Sequence, residues 1–294
     1  MEVIHDGARG GRGRHPAQEY LASIGYKRTR AVAPYDALFE RAPQPLLELA
    51  PASSALTAKQ LEQKIAGPIN AASMTLEEKV DHWEAEFYYR TEHHEDGVRT
   101  LLLELAIKLP ANSVVVDSGA HVGDTGLSLA QGLRAAGRKD VHVLMVEPDA
   151  SKVAWINKKL GQEGDLFASV FNSGLYSVTT RANIVRAKHP GSWKVVPNVA
   201  DGEVQLRAIS EILASERPND NFGLWHLDVE GTEEHALRGL GTHQPRHILM
   251  EVIHDGARGG PGRHPAQEYL ASIGYKRTRA VAPYDALFEH AEPN

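Results

Sequence analysis

Short apolar runs separated by stretches of helical periodicity organise the central and C-terminal parts of the chain. Val114-Val115-Val116, Val141 to Val146 and Leu224 to Gly231, the last with two acids at its end, are too short for buried helices, and each predicts a strand. Between them, apolar positions at three- and four-residue spacing predict helices from Thr125 onward and from Lys152 to Leu160, and a further strand is expected near Phe167 to Phe171. Strands alternating with helices are the pattern of a mostly parallel sheet covered on both faces. Upstream, Thr75 and Glu78 form a capping box. Leu76, Val80, Trp83 and Phe87 then share one face of the helix that follows, and a second helix is expected over Gly97 to Leu109.

A near-perfect repeat stands outside this rhythm. Met1 to Glu40 and Met250 to Glu289 are identical except that Arg12 is replaced by Pro261. Copies this far apart do not stack as solenoid units. Each copy reads as strand, glycine-rich loop, helix and further strand, a duplicated β-α-β segment of which one sheet has room for only one. The second copy has the stronger claim, because its strand begins before the repeat, at His247-Ile248-Leu249, and runs through Ile253. Pro43, Pro45, Pro51 and an Ala/Ser-rich stretch predict a linker with a short helix around Thr57 to Ile65. The expected organisation is a copy over 1–45, a linker over 46–74, a helical cap over 75–110 and a core over 111–294. The duplicated segment also offers a route to a homodimer by swapping.

Composition narrows the class. The 294 residues are 42% hydrophobic and 24% charged, enough to bury a full core. Cysteine is absent, which excludes a disulfide scaffold and cysteine catalysis. A formal net charge of −6 argues against a general nucleic-acid binder, and no apolar run reaches the roughly 18 residues a membrane span needs. The first thirty residues carry charges and glycines in place of an apolar signal stretch. A cytoplasmic protein with no membrane partner is expected.

The chemistry concentrates where the first core strand breaks into Asp117-Ser118-Gly119-Ala120-His121-Val122-Gly123-Asp124. A strand, a glycine-bearing turn and a helix place a nucleotide-like ligand at the strand's carboxyl end. The second strand ends at Glu147, at the distance along the chain where an acidic residue holds ribose hydroxyls. A dinucleotide fingerprint needs a third glycine and a helix N-terminus open to diphosphate; here Asp117 and Asp124 flank the turn. Carboxylates repel a diphosphate and suit a ligand with a sulfonium, an ammonium group and no phosphate, which describes S-adenosylmethionine. Asn172 and Ser173 then form a candidate edge of the adenine pocket. Asp228 and Glu230, at the end of the fourth strand, point to the same crevice.

The runs Asp117 to Thr125, Val146-Glu147-Pro148-Asp149, Leu227-Asp228-Val229-Glu230-Gly231-Thr232-Glu233, Leu237-Arg238-Gly239 and Ile248-Leu249-Met250-Glu251 resemble, in order and spacing, the FkbM-type methyltransferases across about residues 85 to 289. The resemblance implies a class I, Rossmann-like fold with a seven-stranded, mostly parallel sheet, and O-methylation of a hydroxyl on a sugar, polyketide or related small molecule. It implies cofactor binding by Asp117, Gly119, Ala120, His121, Gly123, Asp124, Glu147, Pro148, Asn172, Ser173 and Asp228. His121 stands where the family usually has asparagine, and His226 where lysine is common.

For the reaction itself, Asp228 or Glu230 is a candidate proton acceptor, and His254, with Asp255 beside it, lies just past the fifth strand where a substrate-facing base could sit. Asp228, Glu230 and Glu251 together could hold a hard divalent ion such as magnesium or calcium, a branch that is not favoured. On the cap, Tyr88, Tyr89, His93, His94 and Glu95 could reach substrate. The loop with Gly256, Gly259, Gly260 and Gly262 carries Arg258 and Arg263 and could close over it, and the basic stretch Arg181 to Lys194 stays unassigned. Two competing readings are a nicotinamide-dependent oxidoreductase and a non-catalytic partner protein that keeps the fold.

Overall fold

The computed structural model describes residues 2–5, 26–33, 36–41, 74–93, 97–185, 194–197, 199–252, 265–281 and 285–290. The chain divides into two compact units, Met1–Thr57 and Ala58–Asn294.

In the first unit, β1 (Glu2–His5), β2 (Tyr26–Ala33) and β3 (Asp36–Arg41) form an antiparallel sheet of order β1-β3-β2. The helix expected in this copy and the linker helix near Thr57 to Ile65 lie outside the described residues.

The second unit opens with α1 (Leu76–His93) and α2 (Gly97–Ile107). The capping box is formed: Glu78 N–H donates to Thr75 Oγ1, and Thr75 N–H donates to Glu78 Oε2. Trp83 and Phe87 are buried, but Leu76 is 60% exposed, because the first turn of α1 is its capped, solvent-facing end. The remaining elements are β4 (Ser113–Ser118), α3 (Asp124–Ala135), β5 (Val141–Glu147), α4 (Ala150–Glu163), β6 (Ala168–Asn172), β7 (Gly174–Leu175), β8 (Thr180–Val185), β9 (Lys194–Pro197), β10 (Val204–Arg207), α5 (Ile209–Glu216), β11 (Asn221–Leu227), α6 (Glu233–Arg238), β12 (His247–Glu251), α7 (Pro265–Ser272), β13 (Tyr275–Val281) and β14 (Asp285–His290).

Seven of these strands form one sheet of order β13-β14-β12-β11-β4-β5-β6. β14 runs against its neighbours and the other six run one way, giving the mostly parallel sheet that the resemblance implies. Every residue of β4 and β5 is buried, because helices cover both faces. Successive side chains go to opposite layers: Val115, Leu224 and Leu249 join the layer with α1 to α3, while Val114, Val116, Trp225 and Ile248 join the other. α1 packs on α4, α2 on α3, and α6 on α7.

Two features depart from the expected pattern. The material after α7, expected as one strand, is the hairpin β13–β14, with β14 inserted between β13 and β12. The two ends of the basic stretch, residues 181–185 and Lys194, belong to a second, four-stranded sheet of order β7-β10-β8-β9, and residues 186–193 between them lie outside the described residues. Along β8 only Ala182 and Ile184 are buried, a period-two signal of a half-buried strand.

The repeat pairs differently in its two settings. Met250 lies opposite Ala286 in the second copy, whereas in the first the counterpart of Ala286, Ala37, lies opposite Ile4. The counterpart of Met250 is Met1, so the register differs by an odd number of residues, and the two β1-like strands show opposite faces to their sheets. All seven strands of the large sheet come from residue 113 onward. Deleting residues 1–45 is therefore expected to leave a cooperative melting transition, while deleting 251–294 removes β13 and β14, uncovers Ile248 and Met250, and should abolish it. Circular dichroism melts of the two truncations check this. No helix among the described residues is long and apolar enough to cross a membrane.

Candidate functional site

A cavity opens at the carboxyl ends of β4, β5 and β11, where the connection after β4 runs to β5 and the connection after β11 runs the opposite way, to β12. Its walls include Asp117, Gly119, Ala120, His121, Asp124, Glu147, Pro148, Ser173, Asp228 and Glu230, together with Arg90 from α1, Lys152 from α4 and His226 from β11. β7, β8 and β9 of the smaller sheet add Leu175, Ile184 and Val195.

The turn packs closely against its neighbouring strands. Gly119 (φ 77°) and Ala120 donate their N–H groups to Val146 O, so these donors are already satisfied. A Cβ on Gly119 would stand 1.7 Å from the Asp228 carbonyl oxygen. That glycine lines the cavity and also admits the exit of β11. Gly123 (φ 78°) precedes α3 and does not line the cavity; it packs toward Ile156 and Leu127. His121 holds φ 52° without being glycine, and so does Glu230 at φ 53°.

Glu147 is buried, and its two carboxylate oxygens accept from His121 N–H and Asp149 N–H, each at 2.9 Å. Burial pushes its carboxyl up, opposed by the charge of Lys152 and by those hydrogen bonds. Asn172 departs from expectation: it is exposed, and its amide donates to the carbonyls of Glu147 and Pro148, bracing the strand end outside the cavity. Ser173 does line the cavity, but its hydroxyl donates to Gly174 O and Gln205 O.

Charges around the cavity are ordered in pairs. His226 Nδ1–H donates to Asp117 Oδ1 at 2.7 Å. Burial alone would lower the His226 pKa, but the Asp117 hydrogen bond and the charges of Asp117, Asp228 and Asp285 outweigh it and lift it to about 9. Asp124, expected to face the ligand's positive charge, is met instead by Arg90 at 3.3 Å and Arg99 at 3.9 Å. His121 lies with Nε2 3.3 Å from Glu86 Oε1, and burial first, then the charges of Lys152, Arg90 and His82, hold it well below its ordinary pKa. Lys152 also sits over the Trp83 ring. Burial raises the Asp228 carboxyl, and its Oδ1 is buried without a hydrogen-bond partner.

Glu251 lies outside the cavity lining, and among the described residues no group of three His, Asp or Glu side chains could hold a metal ion. His254, Asp255, the glycine loop with Arg258 and Arg263, and His94 and Glu95 lie outside the described residues. The sequence pattern missed Arg90, Lys152 and the pairing role of His226. Lys152 was legible in part, as the third residue after the Asp149 N-cap and so on the inward end of α4.

Neither a protein-family profile nor a curated protein sequence matches the chain. Solved structures do. CalS11, a TDP-rhamnose 3'-O-methyltransferase of calicheamicin biosynthesis, is 11% identical with a TM-score of 0.45, over 79% of this chain and 92% of its own. A methyltransferase from Geobacter sulfurreducens is 14% identical with a TM-score of 0.42, over 72% and 90%. A SAM-dependent methyltransferase from Aquifex aeolicus is 11% identical with a TM-score of 0.38, over 71% and 96%. Likenesses this remote carry no argument about chemistry, which rests on the site itself.

Proposed function

We propose that this chain is an S-adenosylmethionine-dependent methyltransferase of the FkbM type, acting on a hydroxyl of a small molecule. The supporting observation is the ring of carboxylates Asp117, Glu147 and Asp228 at the ends of three adjacent strands around one cavity. The residues fit such a ligand: Glu147 suits ribose hydroxyls, the orphaned Asp228 Oδ1 suits an ammonium or hydroxyl donor, and Arg90 and Lys152 suit the amino-acid carboxylate. A diphosphate resting on the N-terminus of α3 would meet the Asp124 carboxylate in the first turn of that helix.

When bound, S-adenosylmethionine supplies a methyl group activated by a sulfonium. The chain's own work is to hold the acceptor in line and to take its proton. Three observations support Asp228 in this role: its N–H is fixed to Ser118 O at 3.1 Å, its carbonyl abuts Gly119, and burial makes its carboxylate a stronger base. Glu230, held in the left-handed region two residues on, faces the same cavity.

Calorimetric titration tests the reading. S-adenosylmethionine is expected to bind and NAD is not. Glu147→Ala should weaken binding by about 1.5–3 kcal/mol, the range of a hydrogen bond to a charged group. NAD binding with no S-adenosylmethionine binding would overturn the reading in favour of an oxidoreductase.

A further inference from the structure

His226 takes no proton from substrate in this scheme, yet it is the one cationic side chain that reaches the cavity from a described strand of the large sheet. It precedes Asp228 by two residues at the end of β11, so the extended backbone sends both side chains to the same face. Across the parallel β4–β11 pair it lies beside Asp117, and the two are joined by the 2.7 Å hydrogen bond. Asp117 is itself buried, with Gly126 of α3 close behind its second oxygen, so the clamp is rigid on both sides.

Asp228 has the opposite character. Its backbone is pinned, while its buried Oδ1 has no hydrogen-bond partner. The charged groups facing it are His226 on its own strand, Asp117 on β4, Glu233 on α6 and Arg90 on α1. Burial, Glu233 and Asp117 favour its protonated form, and His226 and Arg90 oppose them, His226 the more strongly. Arg90 is already paired with Asp124 and also faces Glu86. His226, facing Asp117, Asp228 and Asp285, is held as an imidazolium at neutral pH.

We propose that His226 is a positioning residue: clamped by Asp117, its imidazolium is the counter-charge that keeps the Asp228 carboxylate ionised and able to accept the proton of an acceptor hydroxyl. In that step the acceptor O–H bond breaks, the proton bonds to an Asp228 oxygen, and the electron pair stays on the acceptor oxygen. Water then carries the proton away. The identity of the hydroxyl rests on the methyltransferase reading; the charge relation between the two residues does not.

The test is a side-chain titration by NMR on the full-length protein, with ¹³C-labelled aspartate and ¹⁵N-labelled histidine, the Asp228 signal being assigned by its loss in Asp228→Asn. In the wild type the His226 ring is expected to remain doubly protonated at pH 7. His226→Gln should move the Asp228 midpoint upward, and His226→Lys, which restores a cation, should bring it back toward the wild type. An Asp228 midpoint unmoved in His226→Gln, or a neutral His226 ring at pH 7 in the wild type, overturns the proposal. Should His226→Gln fail to fold, the wild-type ring titration still decides. S-adenosylhomocysteine binding, measured by calorimetry on the same wild-type sample, keeps the two readings apart: its absence removes the methyltransferase reading and leaves the titration result standing.

Discussion

Gly119→Ala is expected to be among the most damaging single substitutions in the chain, costing about 4 kcal/mol or more of stability. Two causes combine. The residue holds φ 77°, where a side chain is strained by roughly 1–2 kcal/mol. The added Cβ would also fall 1.7 Å from the Asp228 carbonyl oxygen and 2.8 Å from its carbon, backbone atoms that cannot swing aside as a side chain can. Relief requires β4 and β11 to part at their carboxyl ends, which would break the Asp228 N–H to Ser118 O bond and displace Asp228 from the cavity. Gly137→Ala is the matched control: φ is 75°, but nothing lies within 4 Å of the new Cβ, so only the conformational cost of about 1–2 kcal/mol should appear. Urea denaturation of both variants checks the contrast. Equal losses would show that strain alone, and not the approach of β11, explains the glycine.

The second large effect is a dependence of stability on pH that belongs to His226. Its pKa is raised from 6.5 to about 9 in the folded chain, so the fold binds that proton more tightly than the unfolded chain does. The stabilisation is therefore complete below about pH 6.5 and is lost as pH rises through about 9. A shift of this size corresponds to about 3 kcal/mol. Asp117→Ala should remove it and leave an imidazole buried without its acceptor, a loss of about 3–5 kcal/mol near neutrality. His142 acts with the opposite sign. Its pKa is lowered to about 4, by burial first and then by Arg217, so the stability it permits is present above about pH 6.5 and is lost as pH falls through about 4. Thermal melts between pH 4 and 10 separate the two windows. A wild-type profile flat between pH 6.5 and 9 would contradict the His226–Asp117 assignment.

The strands of the sheet centre were legible because a strand covered on both faces needs apolar residues at every position. Val114 to Val116 satisfy that throughout, and Val141 to Val146 and Leu224 to Leu227 satisfy it except at one histidine each, His142 and His226, without reference to any neighbour. The capping box was legible because its partners are three residues apart. Glu147 was legible as the acid ending the second strand, and it does line the cavity. The smaller sheet was not read as such, since its short strands alternate buried and exposed positions and their charged residues read as a basic insertion.

What the sequence determined by itself was local and periodic: which runs become strands, where α1 is capped, and which acids stand at strand ends. Tertiary structure decided how those acids are used. Asp117 and His226 are 109 residues apart in the chain, and only the register of β4 against β11 makes them a pair. Asp124 meets Arg90 only because α1 packs across the turn, and Gly119 is required by the backbone of a strand a hundred residues later. The repeat shows the division most directly. One sequence takes two registers: β12 begins with His247 to Leu249, outside the repeat, and pairs between β11 and β14 inside a large sheet, whereas β1 pairs in a small antiparallel sheet. Local sequence specifies that these residues form strands, but register depends on which side chains find a buried face, and that is set by the neighbours.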